Sequence, residues 1–219
     1  MANILKIGNR VLKIGGRILR GDSGSAPVDP YNPLGLPPFT IRCKFSSGYT
    51  PTQGDSQTLV DAGENVWDIN KNDTNWSSLF ITEEDWEQPW LQSILGANTT
   101  GVTDMTSTFA GCINLTSVAL FDTSSVFSME QMFEECHISA IPLFDTSSCG
   151  NVNIMFYNCY YVQTGAFELY QQMSTQANVP SHNQTFTNCG NNELIPLDWK
   201  EPDEEPDDDE EEDYGDDEE

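Results

Sequence analysis

A chain of 219 residues with a formal net charge of −26 is long enough for one compact body with tails, and its charge is strongly segregated. The first 20 residues hold five basic and no acidic side chains, residues 201–219 hold fifteen acidic and no basic ones, and the part between holds 20 acids and 4 bases. Affinity for duplex nucleic acid needs clustered Lys and Arg. We therefore expect no direct nucleic-acid binding by the body.

Apolar residues are spread along the chain and nowhere form the ~18 consecutive positions that a membrane span requires, so we expect no membrane insertion. At the N-terminus, basic residues and glycines interrupt every apolar run. A secretory signal needs an unbroken apolar stretch followed by a small-residue cleavage site. Export by the general secretory route is therefore not expected.

Residues 1–21 contain a seven-residue repeat that begins at Ile4, Val11 and Ile18. A coiled-coil heptad is disfavoured because each internal glycine costs a helix about 1 kcal/mol relative to Ala. Gly-Asn and Gly-Gly pairs between short β-branched runs are typical of tight hairpin turns, so we predict a basic β-hairpin or meander. So small a sheet is not stable alone and is expected to anchor the chain to a partner. The proposed anchor residues are Lys6, Arg10, Lys13, Arg17 and Arg20.

Residues 22–38 are rich in proline, glycine and serine and are predicted to be a linker. This composition favours extended polyproline geometry. At ~3.1 Å per residue the segment reaches on the order of 50 Å. That reach is enough to hold a body clear of the surface to which the N-terminus is attached.

Residues 39–101 are predicted to be a β-rich capping region with a Trp-rich helix. Apolar and polar residues alternate over 39–45, the period of a half-buried strand, and a second strand is expected around 58–69. Thr82 and the three acids after it are typical of a helix N-terminus. The apolar residues that follow have helical spacing, and Gly96 is expected to end the helix. These residues are Trp86, Trp90, Leu91, Ile94 and Leu95.

From residue 102 onward an apolar pattern repeats. Each unit carries a Phe and, three residues later, a Cys, and successive units are 24, 23 and 30 residues apart. The pentad Phe-Asp-Thr-Ser-Ser occurs twice, at Phe121 and Phe144. The predicted repeat core column consists of Phe109, Cys112, Phe133, Cys136, Phe156, Cys159, Phe186 and Cys189.

Within each unit the apolar spacing predicts a short helix, and the piece after the Cys predicts a short strand. Asp-Thr-Ser-Ser is expected to supply N-cap side chains for the next helix. Units this small cannot bury an apolar face alone and must stack. We therefore predict an α+β fold with a short leucine-rich-repeat-like solenoid of about four units over 102–200. An insertion at 165–180 is expected to contain a helix over 166–173.

The pattern Val-x-x-Met-x-x-x-Phe-x-x-Cys, then Leu-Thr-Ser, then Leu-Phe-Asp-Thr-Ser-Ser resembles the BspA-type leucine-rich-repeat surface proteins of gut and oral bacteria, including copies carried by phages of Bacteroidales. It covers 102–200, and similarity at Phe39-Thr-Ile-Arg and Asn65-Val-Trp-Asp extends it to a family-like body over 39–200. The resemblance implies a binding or adhesive role and no catalytic residues. The basic N-terminal segment looks like the short attachment segments of phage structural proteins from the same hosts.

The column cysteines are interpreted as small buried hydrophobes rather than metal ligands, because no Cys-x-x-Cys pair with zinc spacing exists. A bridge between Cys43 and Cys149 is left open. His137 and His182 are expected to be packed or capping residues. The run of Asp and Asn over 68–75 fails as a calcium loop because its sixth position is Asp73 rather than Gly. No catalytic, cofactor-binding or metal residues are predicted.

The five tryptophans, with Tyr160, Tyr161 and Tyr170, are candidates for a recognition surface, although packing of most Trp side chains in the core is the preferred interpretation. Residues 201–219 are predicted to be a disordered acidic tail. Its simplest role is solubility, and docking on a basic neighbouring subunit is the alternative.

These features together predict a non-enzymatic phage virion protein: a head-fibre, decoration or tail-associated subunit. The N-terminal segment is expected to bind other virion subunits, and the body to bind a host surface protein or a glycan, with a homo-oligomer expected. One alternative is a BspA-type adhesin on the bacterial cell surface. Another is an intracellular regulator whose acidic tail mimics nucleic acid.

Overall fold

The computed structural model describes residues 4–7, 10–13, 28–51, 57–80 and 88–202, with the backbone alone for the first two ranges. The strands are β1 (Ile4–Ile7), β2 (Arg10–Lys13), β3 (Thr40–Phe45), β4 (Thr58–Gly63), β5 (Val66–Asn70), β6 (Leu91–Asn98) and β7 (Ser117–Val118). One α-helix, α1 (Ala166–Ser174), and one 3-10 turn (Leu197–Trp199) complete the described elements. No described helix is long and apolar enough to cross a bilayer.

A mixed five-stranded sheet in the order β4-β5-β3-β6-β7 is the main regular element. Its strands are antiparallel except for β7, which pairs with β6 in parallel. The alternation predicted over 39–45 is present in β3, where Ile41, Cys43 and Phe45 are buried. The second predicted strand is two strands, β4 and β5, paired with each other.

The predicted Trp-rich helix is wrong over 91–95, which lie in β6, and residues 81–87 are outside the described residues. The buried residues Leu91, Ile94 and Ala97 face Phe45, Cys43 and Ile41 in the pairing register. The pairing of β3 with β6 has two register shifts, one between Arg42 and Cys43 and one between Lys44 and Phe45. Each shift leaves one extra residue in β6. The bulges therefore turn the strand period of two into a period of three, which imitates a helix.

Beyond the sheet, the chain forms five stacked turns, here called tiers, at residues 75–80, 104–109, 128–133, 151–156 and 181–186. Parallel bridges join their first residues in order: Asn75, Asp104, Ser128, Asn151 and Ser181. Alternate backbone N–H groups of one tier donate to carbonyls of the next. Met105 donates to Ser128 at 2.9 Å, and Phe109 donates to Met132 at 3.0 Å. Each tier thus completes its hydrogen bonding only through its neighbour.

The predicted fold class, an α+β fold with a short leucine-rich-repeat-like solenoid of about four units, is wrong. The described residues form a mixed sheet that is not curled and a single α-helix, and the tiers contain neither helices nor regular strands. Each tier has a left-handed residue that stops helix propagation. These are Ser78 (φ 54°), Ser107 (φ 51°), Gln131 (φ 54°), Ile154 (φ 60°) and Gln184 (φ 55°). Asp122 Oδ1 accepts the backbone N–H of Ser124, and Asp145 Oδ1 accepts the backbone N–H of Ser147. These hydrogen bonds close short turns, and neither aspartate caps a helix.

Part of the segment predicted to be a linker lies against the sheet. The side chain of Leu34 covers Gly96, where an added Cβ would lie 2.9 Å from Leu34 Cδ1. The carbonyl of Leu36 accepts a hydrogen bond from Asn98 Nδ2 at 2.7 Å. The helix predicted over 166–173 is confirmed as α1, with Leu169 and Met173 buried.

Candidate interaction surface

A column of stacked aromatic rings holds the tiers in line. Its centroid distances are 5.6 Å for Phe80–Phe109, 5.1 Å for Phe109–Phe133, 5.6 Å for Phe133–Phe156 and 5.7 Å for Phe156–Phe186. The last four of these side chains are fully buried. Trp199 ends the column, with its ring centroid 6.2 Å from that of Phe186. The exposed side chains of the tiers are therefore attached to a backbone that the buried column holds in place.

The column cysteines lie beside these rings as buried free thiols. Cys136 Sγ donates to the carbonyl of Phe109 at 3.1 Å, and Cys159 Sγ donates to that of Phe133 at 3.0 Å. Burial raises the pKa of Cys159 to about 12 and also raises the pKa of Cys112, Cys136 and Cys189. A thiol that stays protonated is a poor nucleophile and a poor metal ligand.

The remaining two cysteines, Cys43 and Cys149, are also free and buried, so the bridge that the sequence left open is not formed. In the Asp- and Asn-rich run, Asp68 receives two hydrogen bonds from Arg42, at 2.6 and 2.7 Å. Asp73 accepts the N–H of Asn75, as in an Asx turn. Among the described residues, no group of three or more His, Cys, Asp or Glu is placed to hold a metal ion.

Both histidines pack against aromatic rings. The ring of His137 lies 4.5 Å from that of Tyr161, centroid to centroid. The ring of His182 stacks on Trp199 at 4.0 Å and is tilted by 15°. His182 Nδ1 is 2.8 Å from the carbonyl oxygen of Pro180.

The aromatic candidates divide between core and surface. Trp76 and Trp199 are buried, and Trp67 is half-buried. Trp90, Tyr160 and Tyr161 are exposed, and Trp90 stacks on Tyr49 with 5.1 Å between centroids. Trp86 lies outside the described residues.

Three of the proposed anchor residues lie on the separate two-stranded sheet. Lys6 is on β1, and Arg10 and Lys13 are on β2. The antiparallel register places Lys6 opposite Val11 and Ile7 opposite Arg10. Arg17 and Arg20 fall outside the described residues.

Exposed leucines lie beside β6 and in the two repeats that follow it, and the leucine of each repeat is followed by an aspartate two residues later. We call Leu34, Leu120, Leu143, Asp122 and Asp145 the leucine strip. Leu120 and Leu143 are 40% and 52% exposed. Leu120 lies two residues before Asp122 and Leu143 lies two residues before Asp145, and Gly96 has the same position relative to Asn98. Thr123 Oγ1 donates to the carbonyl of Asp145 at 2.8 Å, and Thr99 donates likewise to Asp122. These hydrogen bonds link three equivalent segments of the chain, which contain Asn98, Asp122 and Asp145.

Residues 74–196 match the family described as "Mycoplasma protein of unknown function, DUF285", which is more than half of the chain. The chain belongs to the DUF285 family. No curated protein and no solved structure matches it. The DUF285 region begins at the first tier and ends just before the turn Leu197–Trp199.

Sequence reasoning missed the first tier of the DUF285 region and the leucine strip. The tier at 75–80 was hidden because Trp76 replaces the Met seen at 105 and 129, and because its unit lacks the Cys. The available signal was the motif Asn-Trp-Ser-Ser-Leu-Phe, which matches Asp-Met-Thr-Ser-Thr-Phe 29 residues later. The strip follows from the repeated Leu-Phe-Asp-Thr-Ser-Ser, but its exposure depends on the turn geometry.

Proposed function

We propose that this protein is a non-enzymatic structural subunit of a phage particle, acting as a head fibre, a decoration protein or a tail-associated subunit, with a repeat body of the BspA type. The observation that carries the proposal is the order of the parts. Two basic strands form their own small sheet, a proline-rich segment follows, and a stacked body comes last. In this arrangement the basic strands bind other subunits of the particle and the body faces outward.

The burial of the cysteines and the contacts made by His182 and Arg42 support a structural role. All six cysteines are buried, and burial raises the pKa of the column thiols. His182 is stacked on Trp199, and Arg42 is bound by Asp68. These groups stabilise packing, so the chemistry offered to a partner lies in exposed apolar and polar side chains.

A host surface protein or a glycan is the proposed outer ligand. Tyr160 and Tyr161 are adjacent and exposed. Aromatic side chains are enriched among interface residues that dominate binding energy. Because the chain is strongly acidic, we propose that the body does not bind nucleic acid directly.

Mass spectrometry of purified particles tests the proposal. We expect the chain in particles at a constant ratio to the major capsid protein, and we expect a variant lacking residues 1–21 to fold but to be lost from particles. A matched variant lacking residues 203–219 should still be incorporated. Particles that never contain the chain would refute the proposal.

The second candidate is an adhesin on the bacterial surface, which the resemblance to BspA-type surface proteins favours. Fractionation of uninfected cells separates the two candidates. An adhesin would be found on the envelope without infection, whereas a particle subunit would appear only when phage genes are expressed.

A further inference from the structure

Four segments that follow the tier turns are joined side by side by backbone hydrogen bonds. Thr116 N–H donates to the carbonyl of Gln92 at 3.0 Å, and Ser139 N–H donates to that of Thr116 at 3.2 Å. Gln163 N–H donates to the carbonyl of Ser139 at 2.9 Å. In each segment the preceding residue is a buried apolar side chain. The residues two positions before these four are therefore equivalent, and we call them the aromatic row: Trp90, Asn114, His137 and Tyr161.

The two ends of the aromatic row are exposed rings that neighbouring rings hold in place. Tyr161 is 56% exposed, and its ring centroid lies 4.5 Å from that of His137. Trp90 is 47% exposed, and its ring stacks on that of Tyr49 at 5.1 Å with 6° between the planes. Because hydrogen-bonded segments lie about 4.8 Å apart, three steps place the ends of the row roughly 14 Å apart. A ligand that covers these rings immobilises little that is not already fixed.

The polar side chains between and beside the rings are neutral. Asn114 Nδ2 donates to a carbonyl of the preceding segment at 2.8 Å. Tyr160 is 59% exposed, and its hydroxyl donates to Asn158 Oδ1 at 2.9 Å. Asn188 Nδ2 donates to the same oxygen at 2.9 Å. Amide and phenol groups can both donate and accept, so they suit a ligand that carries hydroxyl groups.

The charge of this part of the chain disfavours anionic ligands. No Lys or Arg occurs in residues 72–199. Anion binding by side chains depends on Lys and Arg, which supply charge-assisted hydrogen bonds. The aromatic row itself contains no carboxylate, and Glu135 Oε1 beside it lies 3.4 Å from Asn158 Nδ2, which donates to it. A ligand of the row is therefore expected to be neutral.

A neutral oligosaccharide meets these requirements together. A sugar ring has an apolar C–H face that packs on an aromatic ring, and hydroxyl groups around its edge that pair with amides and phenols. We propose that the aromatic row binds a neutral, linear oligosaccharide whose sugar rings pack on Trp90 and Tyr161. Its hydroxyl groups exchange hydrogen bonds with Asn114 and Tyr160. This inference deepens the proposed function and rests on it for the source of the sugar, which is the host surface.

Binding of the purified full-length chain to a glycan array tests the ligand class. The array holds linear oligosaccharides of glucose, galactose, mannose and N-acetylglucosamine beside sialylated and sulfated glycans. We expect binding to some of the neutral members and to none of the acidic ones. For the best neutral member, the dissociation constant should differ by less than about twofold between low and high salt, because no ion pair is formed. Binding to no neutral member, or a preference for acidic ones, would overturn the proposal.

Substitutions locate the binding on the row. Tyr161→Ala should weaken binding of that neutral glycan by about tenfold or more, as expected for an aromatic side chain that dominates an interface. Tyr161→Phe keeps the ring and should retain most of the affinity. The matched control is Phe127→Ala, which removes a ring that is 55% exposed and lies outside the row. Equal weakening by Tyr161→Ala and the control would contradict a site at the row.

A series of increasing chain length in the best-binding sugar measures the span of the site. Affinity should rise with length and level off once the oligosaccharide covers roughly 14 Å. In Trp90→Ala the gain with length should disappear, because only one end of the row remains. An affinity that does not depend on length in the unsubstituted chain would mean that a single ring binds the sugar, and the row would be overturned as a site.

The same measurements separate this inference from the proposed function. A chain that is found in particles but binds no neutral glycan would overturn the inference alone. Host surface proteins whose glycans have been removed provide the other comparison. If they bind and Tyr161→Ala abolishes that binding, the row recognises protein, and the oligosaccharide is excluded as its ligand.

Discussion

The rings of Phe133 and Phe156 lie 5.6 Å apart between centroids and are only 4° from parallel. Both side chains are fully buried, and they belong to successive tiers. Backbone hydrogen bonds also join successive tiers. Phe133 N–H donates to the carbonyl of Met155, and Phe156 N–H donates to the carbonyl of Thr185, each at 2.9 Å. A tier is therefore stabilised mainly by the tier beside it, and damage to one ring should be felt by its neighbours.

Phe156→Ala should destabilise the protein by about 3 to 5 kcal/mol, because it removes a buried ring and leaves a cavity between two other rings. Unfolding in urea, followed by tryptophan fluorescence, measures the loss. The control is Phe127→Ala, which truncates a side chain that is 55% exposed and should change the free energy of unfolding by less than ~0.5 kcal/mol. Similar losses for both variants would contradict the role of the column.

The column thiols should make the protein lose stability at alkaline pH. Burial holds the pKa of Cys159 at about 12 against an ordinary value of 9.0. Above pH 9 the unfolded chain therefore releases a proton that the folded chain keeps, and stability falls as pH rises toward the folded pKa. Each such thiol should contribute a slope of about 1.4 kcal/mol per pH unit.

Cys159→Ser removes the contribution of one thiol to the pH dependence of stability. Serine can still donate to the carbonyl of Phe133, as Cys159 does at 3.0 Å, but it does not ionise in this range. The variant should reduce the alkaline slope of the free energy of unfolding, measured by urea denaturation between about pH 10 and 11, by ~1.4 kcal/mol per unit. An unchanged slope would show that Cys159 ionises in the folded protein.

Some features were predictable from sequence because they depend on periodicity. The alternation around Ile41 and Cys43 predicts β3, and the recurrence of Phe and Cys brings together residues that the structure places in one column. The internal form of the tiers was not predictable in the same way. Left-handed conformations at Gln131 and Ile154 arise from hydrogen bonding to neighbouring tiers, and neither residue type favours them locally.

The candidate surface was less predictable than the core. The repeated Leu-Phe-Asp-Thr-Ser-Ser marks Leu120 and Leu143 as equivalent, but a leucine in an apolar run is more often buried. Its exposure follows from Phe121 and Phe144 pointing inward, with ring centroids 5.3 Å apart. The role of Lys6, Arg10 and Lys13 as an anchor stays a prediction.

Gly165→Ala should be strongly destabilising. Gly165 has φ +97°, and an added Cβ would lie 2.1 Å from the carbonyl oxygen of Ile141. We expect a loss of at least ~3 kcal/mol, because both the conformation and the space exclude a side chain. Gly150→Ala is the control, since its nearest contact would be 3.9 Å away, and it should cost less than about 1 kcal/mol. Thermal unfolding of the two variants distinguishes them.

Trp199 should act as the end cap of the tier stack. Its side chain is buried and stacks on His182 at 4.0 Å, and its carbonyl accepts the N–H of Phe186 at 3.0 Å. Trp199→Ala should cost about 3 to 5 kcal/mol and should loosen the last tier before the others. Leu197→Ala, in the same turn but 61% exposed, should have little effect.

Amide hydrogen exchange measures where this loosening occurs. In Trp199→Ala, exchange at Phe186 should accelerate more than exchange at Phe109, because local opening of the terminal tier leaves the inner hydrogen bonds intact. Phe109 N–H donates to the carbonyl of Met132 at 3.0 Å, between the second and third tiers and away from Trp199. Equal acceleration at both amides would mean that the tiers unfold as a single unit, and Trp199 would then be an ordinary core residue rather than a cap.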